Sequence, residues 1–525
     1  MNGFNLEPTG IAILAAVIVG AIGRNRSWNN ALVLLFAGIG VGLVTVLLDA
    51  PYEPPNPELV LIAILAPLVF GEALTSSLSD IRRVASRVGL LAIGLVLIGA
   101  AAVGVVATIF LPGIPVALAL CLGAILGPTD AVSVAAVAKS VGMPRRLQHV
   151  LEGESLLNDG TALSLLKVCS SLALGGSLLA GDIFWISIKA FGGGLLVGAI
   201  VGVVLVVVAR RSADVTVTNG LVLLSPWPIY GLAEGIGGSG ILAVVVAGLI
   251  FAQQMSSQSK YRGRLQAMSI WRAVAFILQS GAFFLVGMEI PGLVNLVPND
   301  QLGNIAAFVA VALVVVTATR FLFIFIMSAS NGDLKRYPRE WVVLSWAGTR
   351  GPISVLAAFT VPVISTENQA REIVITAAAG FVAVSLLLST TLPLVVRWAK
   401  LAPDDDGPML GRAEVSIARA ALNRLQDIED QAERGNRPIP STILENLRTT
   451  AEIRMNSAAR EEEAVEEEKP VTVGVRSEVG LQMIHAEQEE LIRLRDEEGL
   501  PDSVMRTLQI EIDIRRRALS TDTTH

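Results

Sequence analysis

Apolar runs, broken at short intervals by charged or Gly/Pro-rich stretches, fill the chain up to residue 402. A bilayer core takes about 20 apolar residues per helix. On that measure spans are expected near 9–23, 31–48, 59–77, 88–111, 115–138, 147–172, 183–209, 216–234, 238–254, 268–290, 302–327, 340–363 and 372–396. The pattern therefore predicts an all-α polytopic membrane protein with 13 transmembrane helices. The weakest division lies in 216–254, where Ser225-Pro226-Trp227-Pro228 interrupts one span and Gly235 to Gly240 separates it from the next. The first run, Ile11 to Ile22, follows no basic stretch and ends without a small-residue cleavage site, so it is expected to be retained as a span.

Loop charges test the count, because cytoplasmic loops collect Lys and Arg. Alternate loops carry Arg24 and Arg26; Arg82, Arg83 and Arg87; Lys139, Arg145 and Arg146; Arg210 and Arg211; Lys260, Arg262 and Arg264; Lys335, Arg336 and Arg339. The loops between hold almost none, with Arg371 the clear exception. The alternation holds only with 13 spans, which places the N-terminus outside and the C-terminal part in the cytoplasm.

An odd count divides as six, one and six. With span 7 as a connector, the halves enter the membrane from opposite sides, the arrangement of two inverted six-helix repeats. The two halves share no obvious residue identity, but their helix breakers correspond. Span 5 holds Gly127-Pro128-Thr129-Asp130 and span 12 holds Gly348-Thr349-Arg350-Gly351-Pro352, each fifth in its repeat. Broken helices at matching positions point to a transporter binding site.

Composition sharpens this picture. The 525 residues are 53% hydrophobic and 16% charged, against about 25% charged for soluble domains, which excludes an ordinary soluble enzyme. Residues 403–525 hold 27 of the 46 acids and 16 of the 40 Lys/Arg, so a transmembrane domain, 1–402, is expected to precede an acidic helical cytoplasmic tail, 403–525. Cys121 and Cys169 lie inside apolar runs and the three histidines are scattered, so neither a disulfide framework nor a zinc cluster is expected. No cofactor is expected.

Charges inside spans are costly and are by default functional hypotheses. The candidates are Glu72, Asp130, Glu154, Asp159, Arg320 and Arg350. On a helical wheel Glu154, Asn158, Ser155 and Asp159 fall at about 0°, 40°, 100° and 140°, one polar face of span 6, while Lys167 falls outside it near 220° and reads as a snorkelling or packing residue. Two carboxylates, a hydroxyl, an amide and the freed carbonyls of a broken helix suit a small hard cation. A carboxylate taken out of water also binds protons more readily, so proton and cation compete for one site. That competition is the minimal requirement for exchange. Structural readings stand beside these: Glu154 and Arg320 can form a helix-holding pair, and Asp130 and Arg350 can neutralise the dipole ends of the broken helices. Glu72, near the end of span 3, fits either solvation or function. Gly192-Gly193-Gly194 reads as close helix packing.

These residues resemble the sodium/proton exchangers, the electroneutral branch of the monovalent cation/proton antiporter superfamily, in bacterial form. The resemblance rests on Gly127-Pro128-Thr129-Asp130, Glu152-Gly153-Glu154-Ser155-Leu156-Leu157-Asn158-Asp159-Gly160, Thr319-Arg320 and Trp346-Ala347-Gly348-Thr349-Arg350-Gly351-Pro352, and runs over 9–398. It implies that Asp159 is the carrier, that Na⁺ binds at Asp159, Ser155 and the backbone carbonyl of Thr129, and that Asp130 assists. It further implies that Asn158 holds the unwound span 5, Glu154 pairs with Arg320, and Arg350 balances the broken span 12. A homodimer in the bacterial inner membrane, elevator-type alternating access and electroneutral 1:1 exchange of Na⁺, with Li⁺ a second candidate, for H⁺ complete the expectation. A K⁺/H⁺ antiporter is the alternative within the family. An intramembrane aspartyl protease using Asp130 and Asp159 is a remote one, lacking any Gly-x-Gly-Asp stretch.

In the tail, helices are expected near 412–434, 440–460, 476–498 and 502–518, around an acidic run at 461–468. A regulatory contact and a solubilising appendage are both open for it.

Overall fold

The computed structural model describes residues 6–25, 30–48, 57–76, 81, 84–130, 143–175, 180–212, 214–258, 261–330, 332, 338–362, 369–401, 407–434 and five positions within 444–452. The regular structure is helical throughout the described residues. In chain order the helices are α1 Leu6–Asn25, α2 Asn30–Leu47, α3 Pro57–Thr75, α4 Ala85–Phe110, α5 Val116–Leu126, α6 Arg145–Ala173, α7 Ala180–Arg211, α8 Val215–Leu224, α9 Pro226–Gly235 and α10 Gly240–Gln258. There follow α11 Tyr261–Leu296, α12 Asn299–Ser330, α13 Glu340–Trp346, α14 Pro352–Ala358, α15 Ala370–Ser389, α16 Leu392–Ala399 and α17 Gly407–Arg434. Six stretches among the described residues are long and apolar enough to cross a bilayer: Asn30–Leu47, Ala85–Phe110, Ile188–Arg211, Ser269–Leu296, Asn299–Ser330 and Ala370–Ser389. Their outward residues are apolar; Leu97, Val105, Ile109, Val203, Leu322 and Ile326 are all exposed, as a lipid-facing surface requires.

The chain divides into two compact units, Met1–Pro403 and Asp404–His525. In the second, α17 is amphipathic, and Arg448 pairs with Glu429 at 2.8 Å. The tail helices expected at 476–498 and 502–518, and most of 440–460, lie outside the described residues.

Within the first unit the helices pack as two bundles. In one, α2 lies along α11, α7 along α10, and α3 against α10 and α9. These contacts are backbone-close because glycine lines them. A Cβ on Gly38 of α2 would overlap the carbonyl oxygen of Phe284, and one on Gly287 of α11 would overlap that of Leu35. Gly193 and Gly194 of α7 are used in the same way: a Cβ on them would come within 2.9 Å of Gly238 Cα and 2.8 Å of Ser239 O. In the other bundle α4 packs on α5, α5 on α6, and α12 on α4, α13 and α15.

The interruption expected at Ser225 to Pro228 divides one span into two helices, and the last expected span is divided where no break is expected. Residues 216–234 form α8 and α9, broken at Ser225, because Pro226 opens a new helix. The last expected span, 372–396, stops at Ser389, and Leu392-Pro393 starts the separate helix α16 after a turn at Thr390-Thr391. Both breaks coincide with a proline at the first turn of the following helix, where its missing N–H costs nothing.

Candidate functional site

Helix α5 ends at Leu126 because Pro128 lacks an N–H and restricts the residue before it. Residues 128–130 are then non-helical, and the continuation at 131–142 lies outside the described residues. Beyond α13, which ends at Trp346, residues 348–351 are non-helical up to α14, where Pro352 begins the helix. The two interruptions meet: the backbone N–H of Asp130 donates to the carbonyl of Thr349 at 2.8 Å. Gly351 is required there, since a Cβ would come within 2.8–2.9 Å of the Asp130 carboxylate group.

Helix α6 crosses beside this junction and buries the polar face of its sequence. Glu154, Ser155, Asn158 and Asp159 are each no more than 5% exposed, and Thr129 is 6% exposed. The Asn158 amide Nδ2 donates to Thr129 Oγ1 at 2.9 Å, and that hydroxyl donates to Glu154 Oε1 at 3.2 Å. Asn158 thus ties the unwound segment to α6. Its Oδ1 is buried with no hydrogen-bond donor among the described residues.

Arg320, on α12, faces Glu154 with both terminal nitrogens: Nη2 donates to Oε2 at 2.8 Å and Nη1 to Oε1. Its Nη2 and Nε also donate to the carbonyl of Leu344, at 3.1 and 3.3 Å, at the C-terminal end of α13. The pair is almost wholly buried, at 2% side-chain exposure on each partner. A bidentate geometry with additional acceptors is the arrangement in which two buried charges compensate each other. Gly348 makes room for it, since a Cβ there would strike the Arg320 side chain.

Arg350 serves the carbonyl ends of both broken helices. Its Nε donates to Leu126 O at the end of α5 at 3.0 Å, its Nη1 to Gly348 O, and its backbone N–H to Ser385 Oγ at 3.2 Å. A guanidinium at a helix C-terminus complements the partial negative charge of unsatisfied carbonyls. A cavity of about 50 Å³ adjoins it, lined by Arg320, Trp346, Thr349, Ser385 and Ser389 among others.

Asp159 borders a smaller cavity, about 10 Å³, together with Pro128, Ala162, Ile353 and Ser354. That is room for about one water. Glu72, on α3, is half-buried, and α3 contacts α6.

Arg371, the exception in the charge alternation, also has a local reason. From the start of α15 its Nη2 donates to Phe359 O at 2.8 Å and its Nε to Val361 O at 3.0 Å. It therefore closes the C-terminal end of α14, the seven-residue half-helix that starts at the Asp130 junction.

Comparison with known proteins agrees with this geometry. The family described as "Sodium/hydrogen exchanger, transmembrane" matches residues 11–398. An uncharacterized Na⁺/H⁺ exchanger of Mycobacterium bovis is 30% identical over 96% of this chain and 94% of its own length. A sodium, potassium, lithium and rubidium/H⁺ antiporter of Bacillus pumilus is 28% identical over 91% of this chain and 72% of its own. The fold is similar to that of the sodium proton antiporter MjNhaP1 from Methanocaldococcus jannaschii, with a TM-score of 0.59 at 19% identity over 75% of this chain and 97% of that one. These neighbours are transporters, which removes the protease reading of Asp130 and Asp159. With its apolar exterior, its broken helices and a match that runs across the whole membrane unit, this multi-pass membrane protein belongs to the sodium/hydrogen exchanger family.

Proposed function

We infer that the protein exchanges Na⁺, and Li⁺ in its place, for H⁺ across the cell membrane, one for one, with Asp159 carrying either the proton or the cation. The observation that carries this reading is the division of labour among the buried charges. Glu154 is committed to Arg320 and Thr129, and Arg350 to helix-end carbonyls. Asp159 lies in the same polar cluster with Ser155, beside the unwound backbone at Thr129. A carboxylate, a hydroxyl and a backbone carbonyl are hard oxygen donors suited to an alkali cation. The buried Oδ1 of Asn158 is a further one. Asp130 contributes charge at the same junction. Asn158 cannot titrate, so a single proton trades for a single monovalent cation.

The two-bundle packing supports alternating access of elevator type, in which the bundle holding α5, α6, α13 and α14 moves against the one built on α2, α3, α10 and α11. The proposal includes 13 spans as two inverted six-helix repeats, a homodimer, an external N-terminus and a cytoplasmic tail that modulates activity. A second reading, exchange of K⁺, is favoured by the Bacillus relatives whose names include potassium. Proteoliposomes loaded with a pH-sensitive dye decide between the two. Na⁺ and Li⁺ are expected to dissipate an imposed proton gradient and K⁺ to be weaker. Equal or stronger K⁺ response selects the second reading, and no cation response rejects both.

A further inference from the structure

We propose that Lys167 and Glu234 are positioning residues for exchange: their ion pair holds α6, and with it Asp159, at one depth against the neighbouring bundle, and parts whenever α6 shifts. The proposal rests on the alternating-access reading above. Lys167 lies eight residues beyond Asp159 on α6, about 12 Å along the helix axis. It points away from the polar face that builds the cation site. Its Nζ donates to Glu234 Oε2 on α9.

The two partners belong to different bundles. Helix α6 packs chiefly on α4 and α5, whereas α9 packs on α3, α7 and α10. Glu234 is fixed on its own side, because its second carboxylate oxygen accepts the N–H of Gly240, the first residue of α10, at 3.0 Å. The loop between is tied down by Gly238 N–H to Ala233 O and Ser239 N–H to Ala190 O, both at 2.8 Å. Glu234 is thus a fixed anchor, and Lys167 is the arm that reaches it.

Packing across the boundary differs from packing within the bundle. A Cβ on Gly198 or Gly202 of α7 would press on α10 at 2.5 and 3.0 Å, a tight interlock. One on Gly160 of α6 would reach Leu242 of α10 at only 3.7 Å, an ordinary contact that does not prevent sliding. The ion pair supplies a hold that this part of the surface lacks. With side chains 47% and 29% exposed, it is weak enough to part thermally, biasing the two positions of α6 by no more than about fivefold.

Two measurements in proteoliposomes test this. The first uses Lys167→Met, Glu234→Gln and Lys167→Arg; glutamine keeps the oxygen that caps α10, and arginine keeps the cation that faces Glu234. Lys167→Met and Glu234→Gln are each expected to change the apparent KM for Na⁺ in opposite directions on the two sides of the vesicle, by about two- to fivefold, with an unchanged melt, and Lys167→Arg to keep both wild-type values. A purely structural pair would instead lower the melt and leave the ratio of the two KM values untouched. The second joins Lys167→Cys to Glu234→Cys with a short reducible bis-thiol reagent, in a background with Cys121→Ala and Cys169→Ala. Exchange is expected to stop on cross-linking and return on reduction. Exchange by the cross-linked protein at the singly modified rate, or a KM ratio that is unmoved in Lys167→Met and Glu234→Gln or moved as far in Lys167→Arg, overturns the proposal. Absence of exchange in the wild type would remove the exchange reading itself, and this proposal with it.

Discussion

The N–H of Asp130 and the carbonyl of Thr349 are joined by a 2.8 Å hydrogen bond between two non-helical segments, one following α5 and one between α13 and α14. Each interruption frees backbone groups that water would otherwise satisfy, and burying them unpaired would be costly. By pairing with each other, and by lending their carbonyl ends to Arg350, the broken helices keep an irregular backbone inside the protein. The same crossing brings Asp130, Thr129 and the polar face of α6 together.

Gly351 is the residue on which that crossing depends most narrowly. Gly351→Ala places a methyl within 2.8–2.9 Å of the Asp130 side chain, which must then move. Apparent Na⁺ affinity is expected to fall by about tenfold, roughly 1.4 kcal/mol, with a smaller change in thermal stability. Unchanged KM for Na⁺ in a folded variant would show that Asp130 does not contribute to the site.

Removing one member of the buried pair should cost stability first. Glu154→Gln and Arg320→Leu each leave an uncompensated buried charge, a loss of roughly 3–5 kcal/mol. The double variant should melt higher than the sum of the two losses predicts. If the single variants melt like wild type in detergent while transport disappears, Glu154 is a transport ligand instead.

Arg371→Gln should loosen α14 through loss of its contacts to Phe359 and Val361. A charge at a helix end with two hydrogen bonds is worth about 1–2 kcal/mol. Arg371→Lys should recover part of this in a thermal melt; equal melts for Gln, Lys and wild type would contradict the capping role.

Much of this site was legible along the chain, and for a physical reason. Polar residues inside an apolar span cannot be accidental, so the face from Glu154 to Asp159 and the Gly/Pro breaks at 127–128 and 348–352 stood out. What could not be read depends on how helices cross. The Asp130–Thr349 bond joins segments more than 200 residues apart, and Lys167 reads as a snorkelling side chain until α9 is placed beside it. The break at Thr390 is hidden because the flanking residues remain apolar and the following proline occupies a position a helix tolerates.

Coupling should be insensitive to voltage. With Asn158 neutral and Glu154 held by Arg320, the cycle moves no net charge, so flux in proteoliposomes should not change when valinomycin and K⁺ set a potential of either sign. A second titrating carboxylate would add a bias of about 2.3 kcal/mol per net charge for each 100 mV, and a flux that follows the potential would overturn the role given to Asn158.

The central claim is that one carboxylate, Asp159, holds either a proton or a cation. Proton release on Na⁺ addition to the purified protein in weakly buffered detergent measures this without a membrane. Because a ligand group must lose its proton to bind a metal ion, the wild type is expected to release about one proton per chain at saturating Na⁺. Asp159→Asn should release none while melting as a folded protein. Undiminished proton release in that variant, or saturable Na⁺ binding by the wild type with no proton released, would contradict the account.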